Sequence, residues 1–136
     1  MKKTSTIVML LLITFLIVSC SKTITLTNSP AVPGAEGKVK VTKDKNNNYK
    51  VVVDVVNLAE SKKLSPPRNT YVVWMDTEGN PPRNIGQVSP SSNMFSKSKK
   101  AQLKAVTTAK PTKVYVTAED SGNVQTPVGD TVLSSK

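Results

Sequence analysis

Tyr49-Lys50-Val51-Val52-Val53-Asp54-Val55-Val56 is the stretch on which the fold turns. Successive side chains of a strand point to opposite faces, so Tyr49, Val51, Val53 and Val55 share one face, and Lys50, Val52, Asp54 and Val56 the other. The first face is apolar throughout and the second half apolar, the pattern of a central strand with neighbours on both sides. The composition around it agrees. From Cys20 onward the chain has 17 valines against 5 leucines, and β-branched side chains suit a pleated surface better than a helix. No run of a dozen residues in this part carries a helical period.

Working outward, Val39 and Val41 alternate with Lys38, Lys40 and Thr42 on the near side. On the far side Tyr71 to Asp76, Ile85 to Val88, Gln102 to Thr107, Lys113 to Ala118 and Thr131 to Ser134 read as further strands. Turn signals separate them: Lys45-Asn46-Asn47-Asn48, Pro66-Pro67, Glu78-Gly79-Asn80-Pro81-Pro82, Ser89-Pro90-Ser91-Ser92-Asn93, Lys110-Pro111 and Ser121-Gly122-Asn123. About seven short strands in roughly 100 residues predict a single all-β domain over 37–136, an immunoglobulin- or fibronectin-like antiparallel β-sandwich. With one cysteine and so no internal disulfide, its core rests on apolar packing, expected to centre on Trp74, Tyr71, Val53, Val73, Val114 and Val116.

The N-terminus has a different character. Met1-Lys2-Lys3 is basic, and Ile7 to Val18 is an apolar run broken only by Thr14. That length suits a signal peptide and is too short for a membrane-spanning helix. Ile17-Val18-Ser19-Cys20 resembles the bacterial lipobox. The resemblance implies a diacylglyceryl group on the Cys20 thiol, cleavage after Ser19 and acylation of the new amino terminus, hence a lipid-anchored envelope protein. Ser21 rather than aspartate follows the cysteine, which by analogy with enteric bacteria favours the outer membrane, and the signal as a whole implies the outer membrane or periplasmic side over the cytoplasm. Residues 20–36, with Ser29-Pro30 and Pro33-Gly34, read as the acylated cysteine and a flexible tether, with room for a short edge strand at Thr23 to Thr27. Extended, such a tether would reach about 50 Å.

The composition also excludes chemistry. The 136 residues include no histidine and a single cysteine, so Cys/His zinc sites and the Ser-His-Asp and Cys-His catalytic arrangements are absent. Glu119 and Asp120 are neighbours and point to opposite faces, while Asp76 and Glu78 straddle a turn, so no carboxylate pair is placed for glycoside hydrolysis. No phosphate loop or nucleophile elbow is present. The reading is a non-catalytic protein without metal or cofactor. Nucleic acid is not an expected partner, since no recognition helix accompanies the charge and the chain is exported.

The charge itself is large. After the leader, 17 basic residues face 9 acidic ones, a net of +8. Lys97, Lys99 and Lys100 form a cluster that is a candidate for anionic glycan or lipid, against the alternative of a solvated lysine surface that keeps sheet edges from pairing. Lys62, Lys63 and Arg68 form a second cluster. Pro-Pro-Arg-Asn occurs twice, at 66–69 and 81–84. One strand between the copies would put Arg68 and Arg83 roughly 20 Å apart at opposite ends of the domain, too far to grip one ligand.

Tyr71-Val72-Val73-Trp74-Met75 followed by Gly79, Pro82, Gly86 and Val88 resembles the Tyr-x-x-Trp strand and return of the extracytoplasmic domain of anti-sigma-K factors. Val116-Thr117-Ala118-Glu119, Gly122, Thr126-Pro127, Gly129 and Val132-Leu133 resemble the closing strand, loop and tail of the same domain. The chain departs from that pattern at Asp120 and Asn123. The similarity spans roughly 37–134 and implies the sandwich fold and an extracytoplasmic address. It does not imply sigma-factor inhibition, because the helical sigma-capturing domain and spanning helix of that family have no counterpart here. The expected function is a protein-interaction or sensory module in the envelope, binding an unidentified protein through the loop ends 89–98 and 120–130. The alternatives are a basic domain that docks on anionic glycan or lipid, and a structural spacer.

Overall fold

The structure, a computed structural model, describes residues 20–91 and 99–136. The leader with Ile17-Val18-Ser19, Lys97 and most of the loop 89–98 lie outside the described residues. Eight strands follow one another: β1 (Ser21–Asn28), β2 (Glu36–Lys43), β3 (Tyr49–Val56), β4 (Thr70–Thr77), β5 (Asn80–Val88), β6 (Lys100–Thr107), β7 (Pro111–Glu119) and β8 (Thr131–Ser135). The described residues otherwise contain only a 3-10 turn at Ser61–Lys63. All strand pairs are antiparallel, in the order β5-β4-β7-β8-β1-β2-β3-β6.

The protein is an all-β, sandwich-like fold. β2, β3 and β6 make one layer, and β5, β4, β7 and β8 the other, which is the strand pairing of an immunoglobulin-like sandwich. β1 is the eighth strand and lies between β2 and β8, joining the two layers along one side. On the opposite side β5 and β6 approach without a shared ladder: a Cβ on Gly86 would stand 2.8 Å from Leu103 Cδ1. The result is a flattened, nearly closed barrel.

The tether expected over 20–36 is therefore corrected. Ser21 already pairs with Thr42, and the strand runs to Asn28 between two neighbours, so it is neither extended linker nor edge. Its threonines mask a clean alternation: Leu26 is buried and Ile24 half-buried on one face, while Thr23, Thr25 and Thr27 are exposed on the other. Gly37 lets β2 approach, since a Cβ there would stand 2.7 Å from Leu26. The Pro33-Gly34 stretch is a closed turn. Val32 and Ala35 are buried beneath it, and the Asn28 side-chain amide donates to the carbonyls of Val32 and Pro33.

Inside the sandwich, Val39, Val51, Val53, Val55, Tyr71, Val73, Met75, Val114, Val116 and Leu133 form the main core. Tyr71 closes one end by donating its hydroxyl to Ala59 O at 2.9 Å. Burial pushes that hydroxyl's pKa up to about 12. Trp74 is fully buried as well, but in a second cluster with Val72 and Tyr115 on the outer face of β4 and β7. The expected single core centred on both Tyr71 and Trp74 is thus two cores on opposite faces of one strand, as their odd separation requires.

Candidate functional site

The outer cluster is covered by the chain itself. After β7 the segment 120–130 folds back over the sheet, and half-buried Val124 packs against the cluster. A polar relay holds it there. Trp74 Nε1 donates to Thr117 Oγ1 at 2.8 Å, and that hydroxyl donates to Glu119 Oε1 at 2.6 Å. The Glu119 carboxylate also accepts the backbone N–H groups of Val128 and Gly129, at 3.1 and 3.0 Å. Buried carboxylates need such donors. Gly129 has no room for a side chain, because a Cβ would overlap Ala118 O.

Both Pro-Pro-Arg-Asn copies act on this same segment. In the first, Arg68 pairs with Asp120 at 3.0 Å, and the Asn69 amide donates to Asp120 O. In the second, the Asn84 amide donates to Gly122 O and Val124 O, at 2.9 and 3.0 Å. Pro81 to Asn84 belong to β5 rather than to a turn, and only Glu78-Gly79 separates β4 from β5. Arg68 and Arg83 do stand at opposite ends of β4. The asparagines, which the sequence reading passed over, are the members of the repeat that converge.

Beside the pinned segment lies an open groove of about 990 Å³. β5, an edge strand, supplies half of its lining. Thr107 at the end of β6, with Thr108 and Ala109 after it, forms one wall, and Gly122, Asn123 and Gln125 the other. Among the described residues Arg83 is the only charged one in the lining, which otherwise offers amides, hydroxyls, Pro81 and Pro82 with the apolar Met75, Ile85 and Ala109. Its amides and hydroxyls suit it to hydrogen bonding and shape recognition. Comparison of the chain with family models, curated proteins and solved structures finds no match. Its geometry has to carry the functional argument.

The proposed lysine cluster is divided. Lys99 is bound to Glu60, with Nζ 2.5 Å from Oε1. That contact, followed by the charge of Lys63, holds the Glu60 carboxyl below its usual range. Lys100 begins β6 and is exposed on the outer face of the β1-β2-β3-β6 layer. That face carries Lys38, Lys40 and Lys104 as well, a group that the sequence cluster did not include. Among the described residues, no three Cys, Asp or Glu side chains are placed to hold a metal, and no helix is long and apolar enough to cross a membrane. Cys20 is exposed and immediately precedes β1.

Proposed function

We propose that the protein is a lipid-anchored component of a bacterial cell envelope whose non-catalytic sandwich binds a protein partner along the β5 groove. The groove carries this reading: it is open, edged by a strand and lined largely by amides, hydroxyls and prolines, a surface that an extended polypeptide fits. Its upper wall is 122–125, part of the loop that the sequence singled out, and the Asn84 amide, donating to Gly122 O and Val124 O, presents that wall as a preformed surface. The Ile17-Val18-Ser19-Cys20 pattern supports the anchor. The similarity of residues 37–134 to the extracytoplasmic domain of anti-sigma-K factors supports a sensory role accessory to an anti-sigma type system.

A photo-crosslinking residue in place of Gln125, in cells, tests the groove, with the same residue in place of Lys38 as control. One discrete protein adduct from position 125 alone, persisting at high salt and weakened by Arg83→Ala, is the expected result. Equal adducts from both positions would defeat the proposal. The anchor is tested separately by detergent phase separation: wild type should enter the detergent phase and Cys20→Ala the aqueous one.

A further inference from the structure

The two ends of the sandwich are unlike. Strand directions put Cys20, the β2–β3 turn (44–48), the β4–β5 turn (78–79) and the β6–β7 turn (108–110) at one end. All four long connections, 29–35, 57–69, 89–99 and 120–130, lie at the other. Charge follows the same division. Lys22, Lys43, Lys45, Lys110 and Lys113 are all exposed at or near the Cys20 end.

The acids there do little to neutralise them. Asp44 is turned into its own turn, accepting the backbone N–H groups of Asn46 and Asn48 and the Asn48 side-chain amide. Asp76 is largely covered, with Oδ1 buried and without a hydrogen-bond partner. Glu78 is the one acid of the β4–β5 turn. Every salt bridge among the described residues, by contrast, belongs to the far end: Lys63 and Lys99 with Glu60, and Arg68 with Asp120. At the far end Lys63, Lys99 and Arg68 are held in ion pairs and Lys62 and Lys100 are not, whereas none of the five lysines of the Cys20 end is in a salt bridge among the described residues.

We infer that the Cys20 end is a docking surface for anionic lipid head groups and that the domain stands end-on on the bilayer. The inference rests on the lipid-anchor reading for its orientation. Since Ser21 is already hydrogen-bonded into the sheet, an acyl chain on Cys20 leaves one residue between bilayer and fold. The lysine-bearing turns then lie within about a Debye length, roughly 10 Å, of the head groups, where their charge is felt. The long connections are carried about 25 Å above it, the length of an eight-residue strand. Lipid is favoured over a glycan because the cationic surface is continuous with the anchor itself.

The test separates docking from anchoring by using residues 20–136 with Cys20→Ser, which retain all eight strands and both cores but cannot be acylated. Co-sedimentation is measured with vesicles of phosphatidylcholine alone and of phosphatidylcholine mixed with phosphatidylglycerol. Binding to the mixed vesicles alone is expected, lost in high salt. Each lysine near such a surface strengthens binding by about fivefold, so the pair Lys45→Glu and Lys110→Glu should weaken it by at least about tenfold. The pair Lys62→Glu and Lys63→Glu, at the far end, should leave it unchanged. Both near-end lysines are exposed in turns, and thermal melting checks that the variants fold.

Equal binding to both vesicles, equal loss from either pair, or binding to an anionic glycan with none to vesicles would overturn the inference. Phase separation of the full-length protein from cells reports on the anchor independently, so failure of either claim is visible by itself.

Discussion

The two outer faces of the sandwich are built from the same kind of strand and finished in opposite ways. On the β4-β7 face, Val72, Trp74 and Tyr115 stand where solvent would be, and the segment 120–130 is drawn across them. On the β1-β2-β3-β6 face, Thr25, Lys38, Asp54 and Gln102 align across four strands, followed by Thr23, Lys40, Val52 and Lys104. Nothing in the described chain covers that face. A large aromatic surface has to be removed from water, and once a loop is brought over it the loop's backbone groups need partners. Glu119, Asn69 and Asn84 supply them. A face of threonine and lysine imposes neither requirement, because lysine stems lie on the sheet while their charges stay in water.

Breaking the covered face should have the largest effect. Trp74→Ala removes the centre of the outer cluster and the donor to Thr117, and should cost about 3–5 kcal/mol in urea unfolding. A change under 1 kcal/mol would mean that the cover is not part of the cooperative fold. Glu119→Ala leaves the sheet intact but strips the N–H groups of Val128 and Gly129 of their acceptor. A loss of about 2–4 kcal/mol is expected. Amide exchange should accelerate at those two positions and stay slow in β3.

Alkaline titration distinguishes the inner core from the outer. An unfolded tyrosine ionises near pH 10, whereas burial raises Tyr71 to about 12 in the folded protein. The fold holds the protonated hydroxyl, so this contribution is complete below about pH 10 and is lost as the pH rises towards and through 12. Tyr115 is also raised, by burial and then by the neighbouring Asp76. Tyr71→Phe should therefore cost about 1 kcal/mol at neutral pH through the lost bond to Ala59, and should reduce the alkaline loss without abolishing it. The smallest effect belongs to the bare face: Lys38→Ser with Lys40→Ser should change stability by less than about 0.5 kcal/mol. A loss of several kcal/mol would show that this face is not free.

Several of these features were legible in the chain. Tyr49 to Val56 states its own pleat, and it is an inner strand, paired with β2 and β6. The odd separation of Tyr71 and Trp74 implies two faces, although the size and apolarity of both side chains also fit one core. The threonine-rich Ser21–Asn28 carried a true alternation that polarity concealed. The groove had no local signature, since its walls come from β5, from 107–109 and from 122–125. Lys99 looked available because Glu60, its partner, lies 39 positions away.

The sequence by itself determined what depends on neighbours along the chain: period-2 strands, the proline, glycine and asparagine turns between them, a basic surface, and the absence of histidine and of a disulfide. Only the tertiary structure decided that β1 closes the sheet between β2 and β8, that both repeated asparagines grip one loop, and that the ion pairs among the described residues all fall at the end away from Cys20. The reason is that strand pairing is long-range. Leu26 meets Ser135, from the opposite end of the chain, and local periodicity says which way a side chain faces but not which distant strand will face it.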